Sequence, residues 1–316
     1  MGKMMIGMDV AKEWIDIGIA GDGRVKRIAN NERAIDAWLA KIGPDTIGLV
    51  AFEPTGGYER HLRRCLSRAK VAFKQVHPNE VVAYRRRRGI KAKTDPIDAR
   101  LLAGFAAEEL TRRELEPVPE ADEVLRELTA RRRQLQALLH AETCRCDVVD
   151  SAIVRKSLQA VIAILERSLA AVDKAIAEYI ASSAHAQTSQ RLQTFCGAGP
   201  AIAETLIAEL PELGHLSGKK IAALCGLAPH ARDSGKRRGH ASTGHGRPGV
   251  RKVLFNGARS AIQHNPVMKA FYQRLVDDNH RPGKVALSAV MRKMLVTLNA
   301  MIRDGSDWRR AAKPAA

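Results

Sequence analysis

The chain has 316 residues, enough for two domains or three, and 45% of them are hydrophobic, which excludes wholesale disorder. Lys and Arg total 52 against 34 Asp and Glu, a formal net charge of +18. A surplus of that size points to a polyanionic partner, and nucleic acid is the obvious one.

Met4–Val10 and residues 14–20 are predicted strands, with Gly21-Asp22-Gly23 as the turn after the second. Residues 24–29 can form a third strand. Asn30 or Asn31 then caps a helix to about Lys41, in which Ala34, Ile35, Trp38 and Leu39 recur at helical spacing. Ile47–Phe52 has the continuous apolar character of a buried strand. A helix over about 58–69, a strand over 71–76 and a helix from Pro78 follow. Thr94 or Asp95 caps the next helix, with Pro96 at its start.

From about 120 to 182 the pattern changes. Leu158, Ile162, Leu165, Leu169, Val172 and Ile176 recur at alternating steps of four and three, a heptad seam. Two long helices fit this stretch, as an antiparallel hairpin, a dimerising coiled coil or core helices of a bundle. Residues 182–188 read as a polar linker, and 190 to about 305 as mainly helical. Phe195-Cys196-Gly197-Ala198-Gly199-Pro200 is either a plain helix–helix turn or a helix-hairpin-helix turn. In the second case Gly197 and Gly199 let the backbone approach a sugar-phosphate chain. The segment 226–249 reads as a polar loop. Cys144 and Cys146 form a lone C-x-C without the further ligands a structural zinc site needs. No signal peptide is visible, and no apolar stretch is read as approaching the ~20 residues of a membrane span, so a cytoplasmic, nucleoid-associated location is expected.

Four acids carry the chemistry. Asp9 sits within an apolar strand and Glu53 ends another, while Asp95 and Asp98 open a helix and, three apart, share one face of it. Carboxylates ending apolar strands in so basic a chain call for cationic compensation, and hard divalent ions bound by oxygens are the usual form. Four such groups could hold two ions, one activating the attacking oxygen and one stabilising the leaving oxygen. The order of the acids matches an RNase H-like fold. Each acid also has a plainer role open to it: Asp95 as a cap, Asp98 as a first-turn complement to the helix dipole. Asp16, Asp22 and Asp45 are read as solvated turn or edge residues.

Two basic clusters accompany them. Residues 84–93 carry Arg85, Arg86, Arg87, Arg88, Lys91 and Lys93 with no acid, and residues 231–259 hold eight Arg and Lys against Asp233 alone. Such cations hold a phosphate backbone without reading sequence.

The motifs Ile6-Gly7-Met8-Asp9-Val10-Ala11-Lys12, Glu53-Pro54-Thr55-Gly56-Gly57-Tyr58 and Lys93-Thr94-Asp95-Pro96-Ile97-Asp98-Ala99 resemble those of the DEDD transposases of the insertion-sequence "one-ten" family. Gly197-Ala198-Gly199-Pro200, Leu224-Cys225-Gly226-Leu227-Ala228-Pro229 and Ser234-Gly235-Lys236 are similar to its C-terminal motifs, so the likeness runs from about 4 to 305. It implies an α/β plus all-α chain: a RuvC-like nuclease domain over 1–115, a coiled-coil helical region over 116–188, a C-terminal transposase domain over 189–306 and a tail over 307–316. It implies a DNA recombinase guided by a structured non-coding RNA that bridges donor and target DNA. Mg²⁺ is the implied metal at Asp9, Glu53, Asp95 and Asp98, with Mn²⁺ as a substitute. Dimers and tetramers are implied, with the acids of one subunit meeting a nucleophilic serine of another. That serine maps to Ser234, with Ser242 and Thr243 as rival hydroxyls; residues 241–248 depart from the family's Ser-Lys-Arg-Gly-Asn run. Lys236, Arg237, Arg238, Arg247, Arg251 and Lys252 would contact phosphates around it. The alternative is a metal-dependent endonuclease or junction resolvase that uses water and forms no covalent link.

Overall fold

Alternating side chains sort a five-stranded sheet into two faces at the start of the chain. The structure, a computed structural model, describes residues 3–90, 94–110, 122–229, 242–244 and 246–308. It divides into two units, Met1–Pro117 and Val118–Ala316.

In the first unit β1 (Met4–Val10), β2 (Trp14–Ile19), β3 (Val25–Ala29), β4 (Ile47–Phe52) and β5 (Phe73–Gln75) lie in the order β3-β2-β1-β4-β5. The pairings β1–β2 and β2–β3 are antiparallel, whereas β4 runs parallel to β1 and β5 parallel to β4. This mixed α/β arrangement fits a RuvC-like transposase domain. Ile6, Met8 and Val10 point to one face, where they pack with α1 (Glu32–Ile42) and α2 (Arg60–Arg68) through Ile35, Trp38, Leu39, Leu62 and Leu66. Leu49 and Ala51 of β4 point to the other, against α3 (Pro78–Arg87) and α4 (Asp95–Phe105) through Val81, Tyr84, Leu101, Leu102 and Phe105. Period two on the strands therefore assigns each residue to a layer. Asn31 caps α1, accepting a hydrogen bond from the Ala34 amide at 2.9 Å.

Two glycines set how closely α4 lies on the sheet. A side chain at Gly7 would overlap the Ala99 carbonyl and the Ala103 amide, and one at Gly18 would come within 2.9 Å of the Ala99 backbone. Gly7→Ala is expected to cost about 3 kcal/mol, the upper range for overpacking, and to lower catalytic activity by lifting α4; urea unfolding checks the first effect.

The second unit is helical. Its α5 (Glu123–Asp147) and α6 (Ala152–Ser182) are joined by residues 148–151 and pair along their length, and so short a connection makes them antiparallel. Leu158, Ile162, Leu165, Leu169 and Val172 are half-buried along α6, and Ile176 is fully buried, so the heptad seam is one continuous face. At the root of the hairpin Leu125, Ile176 and Ile180 join the core of the helices that follow. These are α7 (Ala186–Gln193), α8 (Pro200–Glu209), α9 (Gly218–Leu224), α10 (Pro248–His264), α11 (Pro266–Gln273) and α12 (Gly283–Arg303).

Two expectations are corrected here. The linker read over 182–188 is only 183–185, because α7 already begins at Ala186 and buries Ser189 and Leu192. The expectation of no membrane-length apolar stretch overlooked α12, whose 21 residues are long and apolar enough to cross a membrane by length and composition. Its apolarity belongs to the core, where Val290, Met294, Leu295 and Leu298 are fully buried.

Candidate active site

Strand register brings the acids into reach of one another. Asp9 lies opposite Asp16 on β2, and Met8 is aligned with Phe52 of β4, so Glu53 follows beside Asp9. Asp95 and Asp98 occupy the first turn of α4, with Thr94 extended at the cap and Pro96 fixing the start. Because α4 rests on Gly7 and Gly18, its first turn sits over the Asp9 end of β1.

The electrostatics record this convergence. The Asp9 carboxyl is pushed up from 3.8 to about 6, first by burial and then by the negative charges of Asp95, Asp98, Glu53 and Asp16. Like charges at short range disfavour each other's ionisation. Two arginines offset part of this charge. Arg85 donates to the Asp98 carboxylate, and both side chains are largely buried. Arg27 donates to both oxygens of Asp16, from Nε at 2.8 Å and Nη2 at 2.6 Å, and Nη2 lies 3.6 Å from Asp95.

An all-carboxylate donor set whose negative charges bear on Asp9 fits a hard divalent cation. Among the described residues no three Asp, Glu, His or Cys side chains are grouped to hold an ion.

The Glu53-Pro54-Thr55-Gly56-Gly57 segment is organised by Glu59. Its carboxylate accepts from the Gly57 amide at 2.9 Å, from the Thr55 amide at 3.2 Å and from the Thr55 hydroxyl at 3.0 Å. Gln75 on β5 donates to its other oxygen at 3.2 Å. Burial alone would raise the Glu59 pKa, but the hydrogen bonds outweigh it and hold it below the usual range. Gly56 and Gly57, at φ 74° and 113°, take backbone conformations that side chains disfavour, and so allow the turn. Neither Glu59 nor Arg27 stood out in the sequence. The reading of Asp16 as a solvated edge residue is corrected: it is 2% exposed. The coverage of β2 by α4, a long-range contact, is what buries it.

The predicted phosphate-binding cations fall into different settings. Arg86 is exposed at the end of α3, Arg88 bonds Glu108 at 2.9 Å, and Arg87 lies over the Tyr84 ring. Gly197, at φ 112°, is pressed against Gly257 and Ala261 of α10, so packing requires it, whereas Gly199 stands open at the start of α8. Arg247 donates to both Glu212 oxygens and to the Glu209 carbonyl, each at 2.6 Å, which anchors the segment entering α10. Arg251 donates to the Cys225 carbonyl at 3.2 Å, and Lys252 is exposed. Ser242 and Thr243 are exposed. Lys91, Lys93, Ser234, Lys236, Arg237 and Arg238 lie outside the described residues.

Comparison with known proteins gives the family. Residues 6–149 match the transposase model of the DEDD enzymes of the IS110 family, and residues 189–273 match the model of the transposase IS116/IS110/IS902 family. The chain belongs to the IS110 family of transposases. This transposase is also 26% identical over 319 residues to the pilin gene-inverting proteins of Moraxella bovis and Moraxella lacunata, with 98% of each chain covered. It is therefore an enzyme of DNA transposition and recombination, and the four acids lie within the first matched region.

Proposed function

We propose that this transposase cuts and rejoins DNA at a divalent-metal site held by Asp9, Glu53, Asp95 and Asp98, using Ser234 as nucleophile and a structured non-coding RNA to select its targets. The observation that carries the reading is the electrostatic convergence of these four acids from β1, the end of β4 and α4. When bound, Mg²⁺ would supply Lewis-acid stabilisation of phosphoryl oxygens and of a serine alkoxide, and Mn²⁺ would serve in its place. The serine oxygen bonds to phosphorus, the strand oxygen leaves carrying the proton, and the phosphoserine ester keeps the energy needed for rejoining. In this reading residues 1–115 form the nuclease domain, 116–188 the coiled-coil region and 189–306 the transposase domain. The acids of one subunit meet the serine of another in a dimer or tetramer, within the cytoplasm. The gene-inverting relatives support recombination of a DNA segment as the outcome.

The test is Ser234→Ala, assayed with RNA co-purified from the host and matched DNA. No cleavage and no protein–DNA adduct are expected, against a denaturant-stable adduct in the wild type. Cleavage by Ser234→Ala at the wild-type rate, with no adduct in either protein, would replace this reading with a resolvase that uses water.

A further inference from the structure

We infer that Asp16 and Arg27 form a positioning pair that fixes Asp95 against the sheet beside Asp9. The inference rests on the proposed assignment of the four acids as the metal site.

Register supplies the first observation. Asp9 faces Asp16 across β1–β2, and Asp16 faces Arg27 across β2–β3. Directly opposed residues of antiparallel strands share a face. Asp9, Asp16 and Arg27 therefore form a row across three strands, on the face that α4 covers.

The second observation is the geometry of the contact. Asp16 is 2% exposed, and Arg27 grips it with a fork of two hydrogen bonds, at 2.8 and 2.6 Å. Paired bonds of this kind fix orientation as well as charge. The same Nη2 atom that bonds Asp16 lies 3.6 Å from the Asp95 carboxylate. One guanidinium thus spans a buried sheet acid and a first-turn helix acid. The third observation is that the guanidinium lies over the Trp14 ring at 4.8 Å, which restrains it from a further side. A pair that served only to neutralise Asp16 would need neither the reach to Asp95 nor the alignment with Asp9.

The rival role for Arg27 is a phosphate contact, since its side chain is 51% exposed. The two roles make opposite demands on ion binding. Electrostatics alone says that removing a cation beside carboxylates tightens a divalent ion. A positioning role says that the ion weakens, by about tenfold as for other residues that orient metal ligands.

The experiment measures Mn²⁺ affinity of the full chain by electron paramagnetic resonance, with DNA affinity in EDTA and the thermal midpoint recorded in parallel. Arg27→Gln is expected to weaken Mn²⁺ about tenfold. Arg27→Lys, which keeps the charge but loses the fork, is expected to share that loss. Asp16→Asn is expected to weaken Mn²⁺ while leaving DNA affinity intact. Should the unpaired Asp16 unfold Arg27→Gln, the double variant Asp16→Asn/Arg27→Gln removes the buried charge and is expected to fold with the same Mn²⁺ deficit. Unchanged or tighter Mn²⁺ binding in Arg27→Gln or the double variant overturns the inference, as does a loss confined to DNA affinity. Asp9→Asn serves as the control: Mn²⁺ binding that survives it takes down the metal-site assignment, and the pair's role with it. An ion that depends on Asp9 but ignores Arg27 overturns the pair alone.

Discussion

Asp9→Asn is expected to abolish strand cleavage and, in the same protein, to raise the thermal midpoint of the ion-free chain near neutral pH. The catalytic loss is set at about a thousandfold or more, because losing an ion ligand forfeits several kcal/mol of transition-state stabilisation and each 1.36 kcal/mol is tenfold in rate. The stability gain follows from the direction of the Asp9 shift. Its carboxyl rises from 3.8 to about 6 through burial and the charges of Asp95, Asp98, Glu53 and Asp16. The folded chain therefore holds the proton more tightly than the unfolded chain does. Linkage then makes the Asp9 contribution most favourable below the ordinary carboxylate range, eroding between about pH 4 and 6 and wholly lost above about 6. Asparagine carries no charge at any of these pH values, so the gap between variant and wild type should open over that window. Midpoints in EDTA across the range, plotted as the difference between the two proteins, isolate this site from the other carboxylates. Added Mg²⁺ should raise the wild-type midpoint and leave the variant's almost unmoved. An Asp9→Asn protein less stable than wild type above about pH 6 in EDTA would mean that the acid cluster is not strained by its own charge.

The parts of this site that depend on local pattern were legible in the sequence. Asp9 and Glu53 were visible because apolar strands ending in carboxylates are anomalous, and Met4–Val10 and Ile47–Phe52 are the observed strands. Asp95 and Asp98 were visible because proline fixes the helix start. The heptad seam of α6 emerged from its spacing alone. What escaped notice depends on contacts distant in the chain. Asp16 has the polar character of an edge residue until α4 covers it, and Arg27 counts as one more surface cation until register places it opposite Asp16. Glu59 is hidden for a similar reason, since the turn it organises precedes it and its other partner, Gln75, comes from a later strand. Arg247 illustrates the converse. Composition groups it with phosphate-binding cations, while its hydrogen bonds commit it to Glu212 and the Glu209 carbonyl.

The second unit should depend most heavily on a single arginine. Arg132 of α5 is 8% exposed and donates to Glu204 of α8, itself 8% exposed, and the same nitrogen lies 3.6 Å from Asp173 of α6. One guanidinium thus ties both helices of the hairpin to the core helix beneath them. Arg132→Ala is expected to cost about 3–5 kcal/mol, because it strands a buried carboxylate rather than merely deleting an attraction. Glu204→Ala should cost less, since Asp173 remains to face the arginine. The double variant Arg132→Leu/Glu204→Leu removes both charges and fills the space with apolar side chains, and is expected to fall within about 1 kcal/mol of wild type or above it. Urea midpoints at constant slope give all three values, and adding Arg132→Ala/Glu204→Ala closes the cycle that gives the coupling. The pairing has a structural reason to persist although apolar residues could replace it. Along most of α6 the seam is only half-buried, so hydrophobic contact alone specifies the hairpin's register weakly. A neighbouring pair, Arg133 with Glu209, adds a second, more exposed contact between α5 and α8. Two adjacent arginines meeting two carboxylates on α8 fix how α5 lies on that helix, while the Arg132–Asp173 contact reaches across the hairpin to α6. An Arg132→Ala protein that unfolds within about 1 kcal/mol of wild type would show that apolar packing holds the hairpin to α8 without the buried pair.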